Sequence, residues 1–121
     1  MPGPLSSKRR QAERAGRTAE FVGGLFLVLK GYRLLQSRFQ SPVGEIDIVA
    51  RRGSTLVFVE VKLRKTAEEA RLAVTPQNQR RIKAAADTYL ARKARRLDVP
   101  LRYDIIAMSP YSINHIRDAF R

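Results

Sequence analysis

With 121 residues the chain has the length of one ordinary domain, and 24 Lys+Arg against 11 Asp+Glu give it a formal charge of +13. An excess of that size calls for a polyanionic partner. Nucleic acid is the expected one, with an anionic membrane surface or an acidic protein as electrostatic equivalents. No cysteine is present, which excludes disulfides, thiolate metal sites and cysteine nucleophiles, and one histidine, His115, is too few for a histidine-rich metal site.

Residues 1–6, with two prolines and a glycine, read as a disordered lead-in to a single domain spanning 7–121. Ser7 is a candidate N-cap, and Ala15, Ala19, Val22 and Phe26 at three- and four-residue spacing predict a helix to Lys30, stopped by Gly31. Gly23-Gly24 inside it costs roughly 1 kcal/mol per glycine relative to alanine, so a kink or close packing on a sheet must compensate. The apolar run Phe21 to Leu29 falls short of the roughly 20 residues that cross a bilayer. No apolar segment with a cleavage site precedes Glu13, so no membrane association and a cytoplasmic location are the default expectations.

Three strands are predicted next: Tyr32 to Gln40, broken by Pro42; Glu45 to Ala50; and valine-rich Leu56 to Leu63. Residues 51–54 form the hairpin connection between the last two. Thr75-Pro76 reads as N-cap and N1 of a second long helix reaching about Arg96, with Ile82, Ala85, Ala86, Tyr89 and Leu90 on its apolar side. Its other face is strongly basic. Leu101 to Met108 reads as a fourth strand, and a short tail from Ile113 to Phe120 ends the chain. The succession α-β-β-β-α-β predicts an α/β fold, a mixed central sheet flanked by helices.

Chemistry concentrates in Gly44-Glu45-Ile46-Asp47-Ile48-Val49-Ala50 and Val57-Phe58-Val59-Glu60-Val61-Lys62. A turn at residues 52 and 53 sets Asp47 opposite Phe58. Alternation then places Glu45, Asp47 and Val49 on one face with Phe58, Glu60 and Lys62, and Ile46, Ile48 and Ala50 on an apolar face with Val57, Val59 and Val61. Asp47 and Glu60 become diagonal neighbours about 7–8 Å apart at the backbone, within reach of one ion. Two acids so close repel unless a cation lies between them or one is protonated, and all-oxygen ligation suits Mg²⁺ or Mn²⁺. Lys62 would balance charge and stabilise a phosphorane-like transition state.

Asp47 followed after a short hairpin by Glu60-Val61-Lys62 resembles the D…(E/D)xK signature of restriction-endonuclease-like nucleases. Glu20 on the first helix extends the similarity to Holliday-junction-resolvase-like members, whose N-terminal helix supplies a further acid. Within that superfamily the chain most resembles the UPF0102 or YraN family, in Ala19-Glu20, Lys30-Gly31-Tyr32-Arg33, Gly44-Glu45-Ile46-Asp47, Val57 to Lys62, Ala73-Val74-Thr75, Arg102-Tyr103-Asp104 and His115 to Phe120. The resemblance implies a restriction-endonuclease-like αβββαβ core. It implies Asp47 and Glu60 as metal ligands, with Glu20 and Lys62 beside them as catalytic residues. Related resolvase-like nucleases work as two-fold dimers, so it also implies a homodimer, for which the sequence marks no surface.

Arg80, Arg81 and Lys83 on the second long helix, with Arg64 after the third strand, are the candidate nucleic-acid contacts; Glu45 and Gln79 form a second tier. Each has an ordinary alternative: Asp47 and Glu60 as a surface pair balanced by Lys62 and Arg64, Glu20 as a solvated partner of Arg17, His115 as a structural residue, and the basic helix face as solvated surface. The expected function is Mg²⁺-dependent hydrolysis of DNA phosphodiesters, with branched or recombination intermediates as candidate substrates. The alternatives are a nucleic-acid-binding module of the same fold that does not cut, and a membrane-surface or ribosome-associated basic protein.

Overall fold

The computed structural model describes residues 4–93 and 98–121. Among them, chain order is α1 (Pro4–Leu29), β1 (Arg33–Ser41), β2 (Gly44–Arg52), β3 (Thr55–Leu63), α2 (Ala67–Ala73), α3 (Pro76–Lys93), β4 (Leu101–Ser109) and β5 (Ser112–Phe120). The strands form one mixed sheet in the order β1-β2-β3-β4-β5. β3 and β4 are parallel, which the long connection through two helices permits, and the other neighbours are antiparallel. The α/β class and the mixed sheet agree with the sequence reading.

Several boundaries differ from expectation. α1 starts at Pro4, not Ser7, so residues 4–6 of the expected lead-in are helical, while residues 1–3 and the expected helix end near Arg96 lie outside the described residues. The short tail expected from Ile113 to Phe120 is a fifth strand, Ser112–Phe120. α2 was not anticipated, although Thr66 caps it by accepting from the Glu69 N–H at 3.1 Å. The pattern Thr66-Ala67-Glu68-Glu69 is a capping-box signature that marks this helix in sequence. Thr75 does cap α3, its hydroxyl accepting from the Asn78 N–H at 3.2 Å.

The sheet is covered on both faces, which explains the near-continuous apolar character of β3 and β4. On one face Phe39, Val49, Phe58, Ile105 and Ile116 pack against Val74 of the segment after α2 and Ile82, Ala86 and Tyr89 of α3. On the other, Ile48, Ala50, Val57, Val59 and Ile106 pack against Ala19 and Leu27 of α1. The glycine pair of α1 sits against the sheet: a Cβ on Gly23 would be in ordinary contact, 3.5–3.8 Å, with Val61, Ile106 and Met108, and one on Gly24 would stand 3.1 Å from Leu34. No described helix is long and apolar enough to cross a membrane.

Candidate active site

The β2–β3 hairpin turns on Gly53-Ser54, not on residues 52 and 53. Gly53 has φ +60°, the sign a type II′ turn needs at its first position. Pairing therefore shifts by two residues from the expected register, placing Val49 rather than Asp47 opposite Phe58. A two-residue shift preserves side-chain parity, so the expected division of faces survives for Ile48, Val49, Ala50 and all of β3. Ile46 is the exception, packing with Phe39 on the α3 side while Ile48 packs on the α1 side. Both strands reverse their alternation there: Ser37 pairs with Ile48 and Phe39 with Ile46, and Arg38 between them sits at φ +53°.

That reversal opens the sheet. β2–β3 pairing stops at Ile48–Val59, and the Asp47 carboxylate turns into the gap to accept the backbone N–H of Val61 at 2.8 Å. Asp47 thereby stands close enough to Glu60 and Glu20 to act on both carboxyls. The Glu60 carboxyl is pushed up to about 9, first by burial and then by its hydrogen bond with and the charge of Asp47, with Lys62 opposing. At neutral pH it is protonated unless a cation replaces the proton. Burial and Asp47 also raise the Glu20 carboxyl, against the pull of Arg38 and Arg17; Arg38 Nε is 3.0 Å from Glu20 Oε2.

In front of these acids lies a polar cleft of about 310 Å³ lined by Glu45, Asp47, Glu60, Lys62, Asn78, Arg81 and Ile82. Gly44 makes this wall possible. A Cβ at that position would stand 2.3 Å from the carbonyl oxygen of Arg81, so only glycine lets β2 run this close to α3.

The structure thus brings Asp47, Glu60, Lys62 and Glu45 together from β2 and β3, Arg81 from α3, and Glu20 from α1 on the flank. Gln79 does not line the cleft; its amide donates to the Val74 carbonyl at 3.1 Å. Lys83 is also directed elsewhere, to the carbonyl of Arg121. Arg80 is exposed on α3 outside the cleft lining, and Arg64 is exposed after β3, bonded to the Leu63 carbonyl at 2.7 Å. Asn78 and Arg38 were missed by the sequence reading. Asn78 carries no signal beyond its place in the first turn of α3, and the contact of Arg38 with Glu20 depends on a left-handed residue inside a strand. Among the described residues no group of three or more His, Cys, Asp or Glu side chains is arranged to hold a metal ion by itself.

His115 lies away from the cleft, within a polar network. Its Nε2 lies 2.7 Å from Asp104 Oδ2 and its Nδ1 2.6 Å from Lys30 Nζ. Asp104, fully buried, also accepts from Arg102 Nε and Nη2, both at 2.9 Å, and from the Asp118 N–H at 2.9 Å. Arg102 reaches on to the Tyr32 hydroxyl. The blocks around Tyr32, Asp104 and His115 are therefore one buried polar network joining the end of α1 to β4 and β5.

A basic α/β domain with a mixed sheet and an acid-lined cleft is the class of protein these features define. The model of the uncharacterised protein family UPF0102 matches residues 8–108, and the chain belongs to that family. It is similar to a UPF0102 protein of Rhizobium johnstonii, 48% identical over 117 residues that cover 96% of each chain. A UPF0102 protein of Agrobacterium fabrum is 44% identical over 116 residues, 95% of each chain. One of Brucella canis is 45% identical over 106 residues, 88% of this chain and 84% of its own.

Proposed function

We propose that the chain is a divalent-cation-dependent endonuclease acting on DNA, with the αβββαβ part of its fold a restriction-endonuclease-like core. The observation that carries this reading is the meeting of Asp47 and Glu60 in the gap between β2 and β3, with Lys62 in the same cleft. A carboxyl that burial first, and the neighbouring Asp47 second, push up to about 9 is a group prepared to meet a positive charge. Two hard oxygen donors with open space in front suit Mg²⁺ or Mn²⁺, which retain several waters and complete their shell with substrate phosphate.

Asp47 and Glu60 would hold that ion, which when bound polarises a phosphodiester and acidifies water. The chain's own groups do the rest. Glu60 gives up its proton as the charge is neutralised, and Asp47 stays oriented by the Val61 N–H. The Lys62 ammonium offers a donor to the oxygens that gain charge during phosphoryl transfer. Arg81 and Asn78, on the opposite wall, are placed to bind the same phosphate or its neighbour, and Glu20 with Arg38 closes the α1 side. The charge of +13 supports a polyanionic substrate.

The test is incubation of the purified chain with plasmid, single-stranded and four-way-junction DNA in Mg²⁺, Mn²⁺ or chelator, beside Asp47→Ala and Glu60→Ala. Cleavage is expected only with a divalent cation and only in the wild type. Cleavage surviving both substitutions would overturn the assignment, and binding without cleavage by the wild type would make the chain a non-cutting module of the same fold.

A further inference from the structure

A groove between α1 and β1 adjoins the acid cluster and differs from it in chemistry. It has a volume of about 280 Å³ and is lined by Arg17, Phe21, Leu25, Leu34 and Arg38, with Glu20 in one wall. Arg17, Phe21 and Leu25 recur every fourth residue and so share one face of α1. Phe21 is 68% exposed and Leu25 50%, which leaves their apolar surface open. β1 pairs Ser37 with Ile48 and Phe39 with Ile46, so Arg38 stands beside Asp47, one strand spacing of about 4.8 Å away. Its Nε reaches Glu20 Oε2 at 3.0 Å. A nucleotide whose phosphate lay at Asp47 and Glu60 would therefore have this groove as its neighbour on the α1 side.

An exposed ring flanked by leucines and arginines is a surface that takes a nucleobase, since the base stacks while the cations meet the adjoining phosphate. The Arg38–Glu20 pair runs through Nε, and a guanidinium has several N–H donors, so Arg38 can keep Glu20 and still meet a phosphate. A base within a duplex has both faces stacked and cannot enter; only an unpaired or extruded one can lie on Phe21. A second copy of the chain suits the groove less well. Pairing two grooves would gather Arg17 and Arg38 of both copies at one contact, each copy carrying a charge of +13.

We propose that this groove is the subsite for one unpaired nucleobase of the DNA strand whose phosphate occupies the acid cleft, stacked on Phe21 and held through its flanking phosphate by Arg17 and Arg38. The inference rests on the proposed function for the position of the cut, but stacking in the groove needs no cleavage. The substrate class is then a strand with an unpaired nucleotide beside the scissile bond, in preference to an intact duplex.

The test uses the full chain in chelator, where no cleavage interferes. Fluorescent oligonucleotides are titrated as a single strand, an intact duplex and a duplex with one unpaired 2-aminopurine, against wild type, Phe21→Ala, Phe21→Tyr and Arg17→Gln. Leu29→Ala is the control, an exposed leucine of α1 outside the groove lining. Wild type is expected to bind the unpaired base and the single strand about tenfold more tightly than the duplex, with a saturable change in 2-aminopurine emission. Phe21→Ala should erase that preference without weakening duplex binding, while Phe21→Tyr and Leu29→Ala keep it. Arg17→Gln should lower the salt slope by about one. A preference absent from the wild type, or kept by Phe21→Ala, would overturn the subsite. So would a dimer in sedimentation, or flotation with phosphatidylserine vesicles, that Phe21→Ala abolishes, because the groove would then belong to a second copy or to a lipid surface. When Mg²⁺ or Mn²⁺ is restored, an intact preference without cleavage would refute the nuclease reading and leave the subsite standing; cleavage without preference would do the reverse.

Discussion

The backbone N–H of Val61 donates to Oδ2 of Asp47 at 2.8 Å, a side chain standing where a strand carbonyl would be. β2 does not join β3 until Ile48, and the carboxylate fills the opening before it. Asp47 is therefore both a structural acceptor and the centre of the acid cluster, and its two roles separate by substitution. Asp47→Asn retains an acceptor oxygen, whereas Asp47→Ala leaves the N–H unsatisfied at a cost of about 1–3 kcal/mol. Urea unfolding is expected to rank wild type, then Asn, then Ala, while the cleavage that the proposed function predicts is expected to be lost equally in both variants. An alanine variant as stable as the asparagine one would show that water replaces the carboxylate at no cost.

The raised carboxyl of Glu60 predicts a loss of stability towards alkaline pH. Its folded value of about 9 lies above the 4.5 of an ordinary glutamate, so between these limits the folded chain holds a proton that the unfolded chain has released. That contribution is complete below pH 4.5 and is lost as pH rises towards 9. Melting in chelator is expected to fall from pH 5 to pH 9, and Glu60→Gln to flatten the fall. Mg²⁺ or Mn²⁺ is expected to flatten it in the wild type by taking the proton's place. A glutamine variant with the wild-type slope would mean that Glu60 is not the group responsible.

Most of this architecture was legible in the chain because it rests on short-range patterns. The alternation in Val57 to Lys62 sorted β3 correctly, and Thr75-Pro76 marked the start of α3. Even a turn misplaced by one residue left the parity of the hairpin intact, so Asp47 and Glu60 stayed neighbours. What escaped depends on long-range contact or unusual backbone. Ile46 changes face because Arg38, across the sheet, is left-handed, and no periodicity in β2 records it. The strand Ser112–Phe120 hides its alternation behind a register shift near Asp118, which has φ +51°. Gln79 and Lys83 share the basic helix with Arg81, yet their side chains bond to Val74 and Arg121, which helical spacing alone does not foretell.

Gly44 provides a test of how the cleft is built. A methyl group there would meet the Arg81 carbonyl at 2.3 Å, which is backbone and cannot rotate away. Gly44→Ala must push α3 from β2, at an expected cost of about 1–3 kcal/mol for an overpacked position. Arg81 and Asn78 move with the helix, so the DNA affinity that the proposed function predicts is expected to fall as well. Gly16→Ala is the matched control, since a Cβ there meets nothing within 4 Å and gains about 1 kcal/mol of helix propensity. Equal stability of the two alanine variants would refute the close-approach account.

Asp104 governs the acid side. Burial alone would raise its carboxyl, but hydrogen bonds from His115, Arg102 and the Asp118 N–H outweigh burial and hold it below the ordinary 3.8. A depressed carboxylate contributes stability above its unfolded value and loses it as pH falls through the folded one, so this contribution disappears below about pH 4. Asp104→Asn removes the charge but not the shape, leaving Arg102 without its anion and His115 with a poorer partner. The expected loss is about 3–5 kcal/mol at neutral pH, as for other broken buried pairs. The variant should also lack the acid-side slope, a difference that urea midpoints at pH 7 and pH 3 measure directly. Because this network ties the end of α1 to β4 and β5, its loss should loosen α1 and with it Glu20. Faster amide exchange through residues 19–30 in Asp104→Asn, with β2 and β3 unchanged, is the signature; uniform acceleration across the sheet would mean that the network serves global stability alone.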